Sequence, residues 1–321
     1  MGSKSSSDKT REICPISGAI GSLPFPTDDT MLAIVFSLAA IASAQSGHHE
    51  TANPLYKGLL DTGLSIGAKT QVKLPPPTMP DGLDAATQKA TIQKLISDDI
   101  SYDEFMRDSI VAPNLLRIGD AKSSDPASPV RTVDVYFIAH GDFQATADDK
   151  ALERLVDVGK GEGKGKGLTR DELAKRNIVW TPADEKREGY GQVEFDFLGK
   201  VRLKLTGHAM WSRGAESVVA AAEIDPRFQN DAQYPNEWRS LSKDGGQLKV
   251  GPANVYGGAG MYIKLTKLVQ PPGAIFVEQH IVFAEPLGWF DGANLLRSKL
   301  PIAIQTNVRS MRKEWPKATK K

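Results

Sequence analysis

The chain has 321 residues, of which 40% are hydrophobic and 25% are charged. This balance is typical of a folded globular protein and is too apolar for wholesale disorder. A formal net charge of +1 provides no long-range field that would recruit a polyanion, so we expect no nucleic-acid partner.

An apolar run extends from Met31 to Ala44 and is followed directly by polar residues. It is shorter than the about 20 residues needed to span a bilayer, and Ala42 and Ala44 supply the small side chains that signal peptidase reads. We therefore predict a leader and signal peptide over 1–44, cleavage after Ala44, and export to the periplasm, cell envelope or medium. The preceding residues are slightly acidic, so translation from Met31 stays open, as does a buried or membrane-apposed helix.

The only cysteine, Cys14, falls within this leader. Without it the mature chain would have no thiol for a disulfide or a thiolate metal site, so we expect stability to come from the core. No other segment is long and apolar enough to span a membrane, and we expect no transmembrane segment after cleavage.

The segment 45–120 is predicted to be helical and is interrupted by the proline-rich stretch 74–80, because proline cannot donate the hydrogen bonds of a helix. Residues 84–96 have the spacing of an amphipathic helix with Asp84 or Asp81 as N-cap. A second helix is expected over 102–111. The stretch 121–130 is rich in Ser, Asp and Pro and is predicted to be a loop.

From residue 131 the alternation of apolar and polar residues favours strands. We expect short helices at 149–158 and 169–175, separated by a mobile loop over 159–167 that consists mostly of glycine and lysine. Short links such as Gly199-Lys200 indicate an antiparallel sheet of about seven strands. The predicted strands are 132–140, 177–180, 192–198, 201–211, 217–224, 261–269 and 274–284.

A long helix is predicted over 291–315, because apolar side chains recur there every three or four residues. We expect Pro301 to kink or restart this helix. The apolar stripe of this helix is expected to pack on a sheet. It consists of Leu296, Leu300, Ile304, Val308, Met311 and Trp315.

The order of a strand, two short helices, a run of strands and a long terminal helix resembles the helix-grip fold of the START and polyketide-cyclase-like superfamily. This resemblance covers 131–321 and implies an α+β domain in which a curved sheet wraps the last helix and encloses an apolar pocket. The phrase Gly288-Trp-Phe-Asp-Gly-Ala-Asn-Leu-Leu-Arg297 also resembles a family of uncharacterised exported bacterial proteins.

Two catalytic-looking motifs overlap near residue 63. Asp61-Thr62-Gly63 resembles the triplet of aspartic proteases, but no second triplet of this kind is present. Gly63-Leu-Ser65-Ile-Gly67 matches a nucleophile elbow, but the flanking strand and helix are missing from the pattern. We therefore expect Gly63 or Gly67 to cap a helix.

The histidines are the remaining catalytic candidates. His48 and His49 are expected in a flexible end, whereas His140, His208 and His280 fall on or beside predicted strands, with Asp142 and Glu278 nearby. Three imidazoles that converge in a cavity would hold Zn²⁺ and activate water. Their spacing gives no support for convergence, and separate, individually satisfied histidines are the alternative.

We therefore expect an exported, non-catalytic binding module for an apolar or amphipathic small molecule, with no cofactor and no metal. The alternatives are a cavity hydrolase or lyase that uses His140, His208, Glu278 or His280, and a cell-envelope interaction protein. The ligand and the oligomeric state stay open.

Overall fold

The computed structural model describes residues 49–67, 70–96, 100–123, 128–146, 164–181, 187–290 and 295–315. The predicted signal peptide, the thiol of Cys14, His48 and the helix expected at 149–158 lie outside these residues. The described part of the chain is an α+β unit with a large antiparallel sheet and a long C-terminal helix, which confirms the predicted fold class.

The strands are short near the N-terminus and long in the main sheet. In chain order they are β1 Leu64–Ile66, β2 Thr70–Val72, β3 Leu115–Ala121, β4 Val130–His140, β5 Lys164–Gly167, β6 Glu188–Phe197, β7 Val201–Arg213, β8 Ser217–Ile224, β9 Glu237–Asp244, β10 Gln247–Val250, β11 Asn254–Val255, β12 Ala259–Lys267 and β13 Ala274–Ala284.

The main sheet contains eleven strands. Eight of them follow one another in the spatial order β5-β6-β7-β8-β12-β13-β4-β3. β9 pairs with the first residues of β7, on the edge that β8 occupies further along, and it carries β10 and β11. β1 and β2 form a separate hairpin. All of these pairings are antiparallel, as short connections require.

The helices are α1 His49–Ala52, α2 Pro54–Asp61, α3 Ala85–Leu95, α4 Tyr102–Phe105, α5 Phe143–Thr146, α6 Arg170–Ala174 and α7 Leu295–Glu314. The Asp84 side chain caps α3, as predicted, by accepting from the N–H of Thr87. Thr169 and Glu172 form a capping box at α6.

The long helix α7 packs on one face of the sheet. Six apolar residues of its predicted stripe are buried in the main core, and the Arg312 guanidinium lies 5.3 Å from the ring of Phe137 on β4. We call this side of the sheet the helix face. Pro301 lies inside α7, and the helix continues past it to Glu314.

The opposite side of the sheet is covered by residues 49–106, which we call the N-terminal cover, and we call that side the cover face. α2 packs on β7, β8 and β12 through side chains that include Tyr56 and Leu59, whose rings and methyl groups are buried. α3 and α4 pack on β4 and β13 in a second cluster with Phe276. Both faces of the sheet are therefore occupied by the chain's own elements.

Several local predictions were wrong. The segment 45–120 contains three strands besides its helices, and the helix expected at 102–111 ends at Phe105. The glycine-lysine tract, expected to be a mobile loop, forms β5 in its last four residues, because pairing with β6 satisfies its backbone. Residues 177–180 form no strand, and β9 to β11 were not predicted.

The glycines near residue 63 do act in turns. Gly63 directly follows the C-cap of α2 with φ +85° and donates its N–H to Gly58, as expected for a helix end. A Cβ on Gly63 would lie 2.6 Å from the Val72 carbonyl oxygen. Ser65 lies in β1, where its hydroxyl donates to Gln71, so the two motifs are parts of a helix end and a hairpin.

Candidate functional site

A row of six side chains crosses the middle of the helix face, and we call it the central row. In spatial order, from β3 to β7, it consists of Leu116, Val135, Gln279, Ile263, Ala220 and Trp211. Val135 and Ile263 are buried, but the other four side chains are only half-buried. The centre of this face is therefore not completely covered.

The neighbouring rows differ from the central row. On one side, Val277 and its cross-strand neighbours Phe137 and Leu265 are buried. On the other side, Ile281 is buried and Met261 is half-buried. Partial exposure between mostly buried neighbours indicates that packing above the central row is incomplete, since close packing would otherwise bury these side chains.

The inward side of α7 is apolar except at Asn307 and Arg312. Asn307 lies four residues beyond Ala303 and four before Met311, and therefore shares their side of the helix. Its Oδ1 atom is buried and has no hydrogen-bond partner among the described residues. A buried acceptor of this kind is costly unless something else donates to it.

The C-terminal end of α7 is fixed by Arg312. Its guanidinium donates to the carbonyl oxygens of Ile138 at 2.8 Å, Ala112 at 2.5 Å and Pro113 at 2.9 Å. No carboxylate of the described residues pairs with it, and burial lowers its pKa to about 10. This charge therefore connects the end of the helix to β4 and to the chain before β3.

One end of the helix face is closed by aromatic packing. Trp289 stacks on Tyr256 with ring centroids 5.5 Å apart, beside a cavity of about 20 Å³ lined by Phe197 and Phe283. That space accommodates about one water molecule. The Nε1 atom of Trp289 is buried without a partner in the described part of the chain.

The other end of the sheet carries an open groove with a volume of about 650 Å³. Its apolar lining includes Phe143, Val269 and Ile275, and its charged lining residues are Asp142, Glu216 and Lys267. Ile275 lies four residues from Gln279 on the same strand, which corresponds to about 13 Å along the sheet. The groove and the central row are thus separate features of one face.

His280 and Glu278, two of the predicted site residues, lie together on the opposite side, under the N-terminal cover. The Nδ1 of His280 is 2.7 Å from Asp134, and its Nε2 is 3.4 Å from Glu278. A protonated imidazole donates from both ring nitrogens, and this arrangement between two carboxyl groups suits that form. Burial lowers the pKa of His280, but the hydrogen bonds to Asp134 and Glu278 more than offset this and leave the pKa raised.

Glu278 also holds the cover in place. Its side chain is completely buried and accepts the backbone N–H of Thr78 at 2.6 Å and of Met79 at 3.3 Å. Lys264, on the neighbouring strand, pairs with Asp81 at 2.8 Å and donates to the Met79 carbonyl. These groups therefore satisfy one another's hydrogen-bonding capacity.

His49 belongs to the same network, although the sequence predicted a flexible end. It is 6% exposed, and its ring nitrogens lie 2.8 Å from the Ser212 hydroxyl and 2.6 Å from the Ser217 hydroxyl. Ser217 donates its own proton to Asp81, so the ring must donate to Ser217. The prediction for His49 was wrong because its partners are more than 160 residues away.

The structure does not bring the three predicted histidines together. The His140 Nε2 lies 2.9 Å from the Met106 carbonyl oxygen, and the His208 Nε2 lies 2.7 Å from Glu188. His208 is three strands from His280, which corresponds to about 14 Å, whereas zinc–nitrogen bonds are about 2 Å long. Asp142 lines the end groove instead of facing any of these imidazoles.

His208 has its own set of polar neighbours. Its ring stacks on Tyr190 at 4.4 Å, and the strand register places Glu223 beside it. Burial raises the pKa of Glu223, and the nearby His208 lowers it by a smaller amount. Across the described residues, no group of three or more His, Cys, Asp or Glu side chains is arranged to hold a metal ion.

The sequence analysis did not identify Gln279 or Asn307. An amide at an inward position of an alternating strand, and another in the stripe of a helix, were the available signals. No helix among the described ranges is both long and apolar enough to cross a membrane.

Comparison with known proteins yields structural similarities only. No protein-family model and no curated protein sequence matches the chain. The lipid transfer and protein localization domain of human StarD13 aligns with 61% of this chain and 88% of that domain, at 8% identity and a TM-score of 0.31.

Two further solved structures are similar at the same level. Human STARD10 aligns with 62% of this chain and 74% of its own, at 10% identity and a TM-score of 0.30. An uncharacterized protein from Rhizobium leguminosarum aligns with 62% of this chain and 98% of its own, at 11% identity and a TM-score of 0.28. Similarity this distant carries no argument about what the chain binds.

Proposed function

We propose that this protein binds an apolar or amphipathic small molecule between the helix face and α7, in contact with the central row. The observation that carries the proposal is that four of the six central-row side chains are half-buried, whereas most of the side chains beside them are buried. Ligand sites in proteins are typically concave, mostly apolar spaces that contain a few placed polar groups. The central row and the inward side of α7 match that description.

The distribution of polar groups supports this choice of face. On the cover face, the polar side chains around Glu278 hydrogen-bond to one another or to the N-terminal cover. On the helix face, the Asn307 Oδ1 and Trp289 Nε1 atoms have no partner among the described residues. A small molecule or ordered water that reaches them would remove a desolvation cost.

The test uses the purified chain and the fluorescent probe 1-anilinonaphthalene-8-sulfonate, preceded by native mass spectrometry to detect any co-purified molecule. We expect the probe to bind with enhanced emission and the Ala220→Phe variant, which fills the central row, to weaken binding at least tenfold. Loss of binding in Ala220→Phe with an unchanged urea midpoint would support the proposal.

A matched pair of groove variants tests the location. Val269 in the end groove and Val255 on the remote strand β11 are similarly exposed, at 51% and 53%. If the probe binds at the central row, neither Val269→Asp nor Val255→Asp should strongly reduce the affinity for the probe. Loss of affinity in Val269→Asp with none in Ala220→Phe would move the site to the groove and contradict the proposal.

We further propose that the chain is exported and cleaved after Ala44. The support is the apolar run that ends in the small residues Ala42 and Ala44. Expression of the full chain in bacteria should yield a periplasmic product that begins at residue 45. Ala44→Leu should block processing and Ala39→Leu should not. An unprocessed cytosolic product would contradict this proposal.

A further inference from the structure

Gln279 is the only amide side chain in the central row. It lies on β13 between Val277 and Ile281, and its cross-strand neighbours on the helix face are Val135 and Ile263. Every other position of β13 on this face is apolar. An amide surrounded by aliphatic side chains on a central strand loses hydration without gaining packing, so its presence needs a compensating partner.

The protein supplies almost no such partner. Among the described residues, the Gln279 amide has one hydrogen-bond contact, from its Nε2 to the Met261 sulfur at 4.0 Å. A thioether is a weak acceptor, and a primary amide has two donors and two acceptor lone pairs. Most of the hydrogen-bonding capacity of Gln279 is therefore directed at the space above the sheet.

Asn307 contributes a second amide from the opposite wall. Its Oδ1 is buried without a donor, and asparagine is a poor helix former, so neither packing nor helix propensity accounts for it in the stripe of α7. Sequences tend to break their local pattern in this way where function requires it. The two breaks thus lie on two elements that face each other, Gln279 on the helix face of β13 and Asn307 on the inward side of α7.

We propose that Gln279 and Asn307 form a polar subsite that selects an apolar ligand carrying a group which both donates and accepts hydrogen bonds, such as a primary amide or a hydroxyl. The inference rests on the proposed function and deepens it by naming the ligand class. Gln279 offers donors and acceptors, and Asn307 offers an acceptor that needs a donor. A ligand with only alkyl groups leaves both amides unpaired, and a site built for hydrogen bonding discriminates strongly against such molecules.

The experiment compares three probes of equal chain length, decanamide, 1-decanol and n-decane, each competing with 1-anilinonaphthalene-8-sulfonate. In the wild type we expect decanamide to bind most tightly and decane least tightly. The Gln279→Met variant keeps the side-chain volume and removes the amide. We expect it to reduce the preference for decanamide over decane about tenfold, while decane binds equally well or better.

Gln192→Met is the matched control. Gln192 is also a half-buried strand glutamine, but it lies on the cover face and donates to the Thr206 hydroxyl at 2.9 Å. It should leave the probe preference unchanged. A measurement without a variant accompanies it: the side-chain amide resonances of Gln279 in the wild type should shift on adding decanamide, and those of Gln192 should not.

An unchanged ratio of decanamide to decane affinity in Gln279→Met, or unshifted Gln279 amide resonances with decanamide bound, would overturn the inference. Either result, obtained while the probes still compete, leaves the proposed function intact. Failure of all three probes and of the fluorescent reporter to bind would instead refute the proposed function itself. The two failures are therefore distinguishable in one set of titrations.

Discussion

The two faces of the sheet are closed by different means. On the cover face, charged groups of β12 and β13 bond to the backbone of residues 78–79, and the completely buried Glu278 is the central acceptor. On the helix face, contact is almost entirely apolar, and Gln279, the next residue along the same strand, is half-buried with only a weak contact to the Met261 sulfur among the described residues. Two adjacent side chains of one strand, Glu278 and Gln279, thus differ in environment: the first is completely buried and fully hydrogen-bonded, and the second is half-buried.

This difference separates structural chemistry from candidate binding chemistry. The imidazole and carboxylates of the cover face resemble catalytic groups by residue type, but each already has a protein partner. The amides of the helix face belong to no catalytic motif, and among the described residues they have no strong hydrogen-bond partner. The four predictions below test this contrast, from the largest expected effect to the smallest.

The first prediction concerns the sealed side. Glu278→Gln replaces an acceptor by a group with donors that face two backbone N–H groups and His280, and we expect it to lower the free energy of unfolding by about 4 kcal/mol. Glu194→Gln, a strand carboxylate that is 42% exposed, should change it by less than about 1 kcal/mol. Urea unfolding measures both. Equal losses of unfolding free energy in the two variants would show that the hydrogen bonds of Glu278 do not stabilise the packing of the N-terminal cover on the sheet.

The second prediction compares two neighbouring alanines on β8. Ala221 is 1% exposed on the cover face, and Ala220 is half-buried in the central row. Ala221→Phe should cost about 3 kcal/mol through overpacking. Ala220→Phe should cost less than about 1 kcal/mol, because space is available above it. If the two variants lose similar stability, the helix face is as tightly packed as the cover face, and the binding proposal fails.

The third prediction concerns the attachment of α7. Arg312→Met leaves three carbonyl oxygens without their donor, and we expect a loss of about 2 kcal/mol. Arg309→Met, on the exposed side of the same helix, should be nearly neutral. Urea midpoints compare the two. A neutral Arg312→Met would mean that the apolar stripe alone holds the helix on the sheet.

The smallest effect concerns pH. The raised pKa of His280 means that its stabilisation is complete below the pKa of the unfolded chain and is lost as pH rises through the folded pKa. Each unit of difference between the two pKa values corresponds to about 1.4 kcal/mol. Urea unfolding between pH 6 and pH 10 should show this loss in the wild type and not in His280→Gln. Parallel profiles for the two proteins would contradict the charged state of His280.

Much of the fold could be predicted because it depends on local patterns. The alternation in β4, β7, β8 and β13, the Asp84 cap and the stripe of α7 are properties of neighbouring residues, and each was predicted within a few positions. β9 to β11 could not be predicted in this way. Their burial pattern is mostly exposed, so no apolar periodicity marks them.

The candidate site depends on contacts that local patterns do not contain. His280 and His208 were correctly assigned to strands, but whether their side chains converge depends on strand order, which places β8 and β12 between them. Which face of β13 is sealed depends on residues 78–79, about 200 positions away. The partners of an inward-facing group are therefore chosen by topology.

The sequence by itself determined the alternation of each strand, the apolar stripe of the last helix and hence an α+β unit, because these follow from side-chain periodicity along the chain. Only the tertiary structure decided that Glu278 and His280 hydrogen-bond within the cover face while Gln279 is left half-buried with only a weak contact to the Met261 sulfur among the described residues. The physical reason is that a polar group is satisfied or unsatisfied according to what folding brings within about 3 Å of it, and that distance is set by chain segments far apart in sequence.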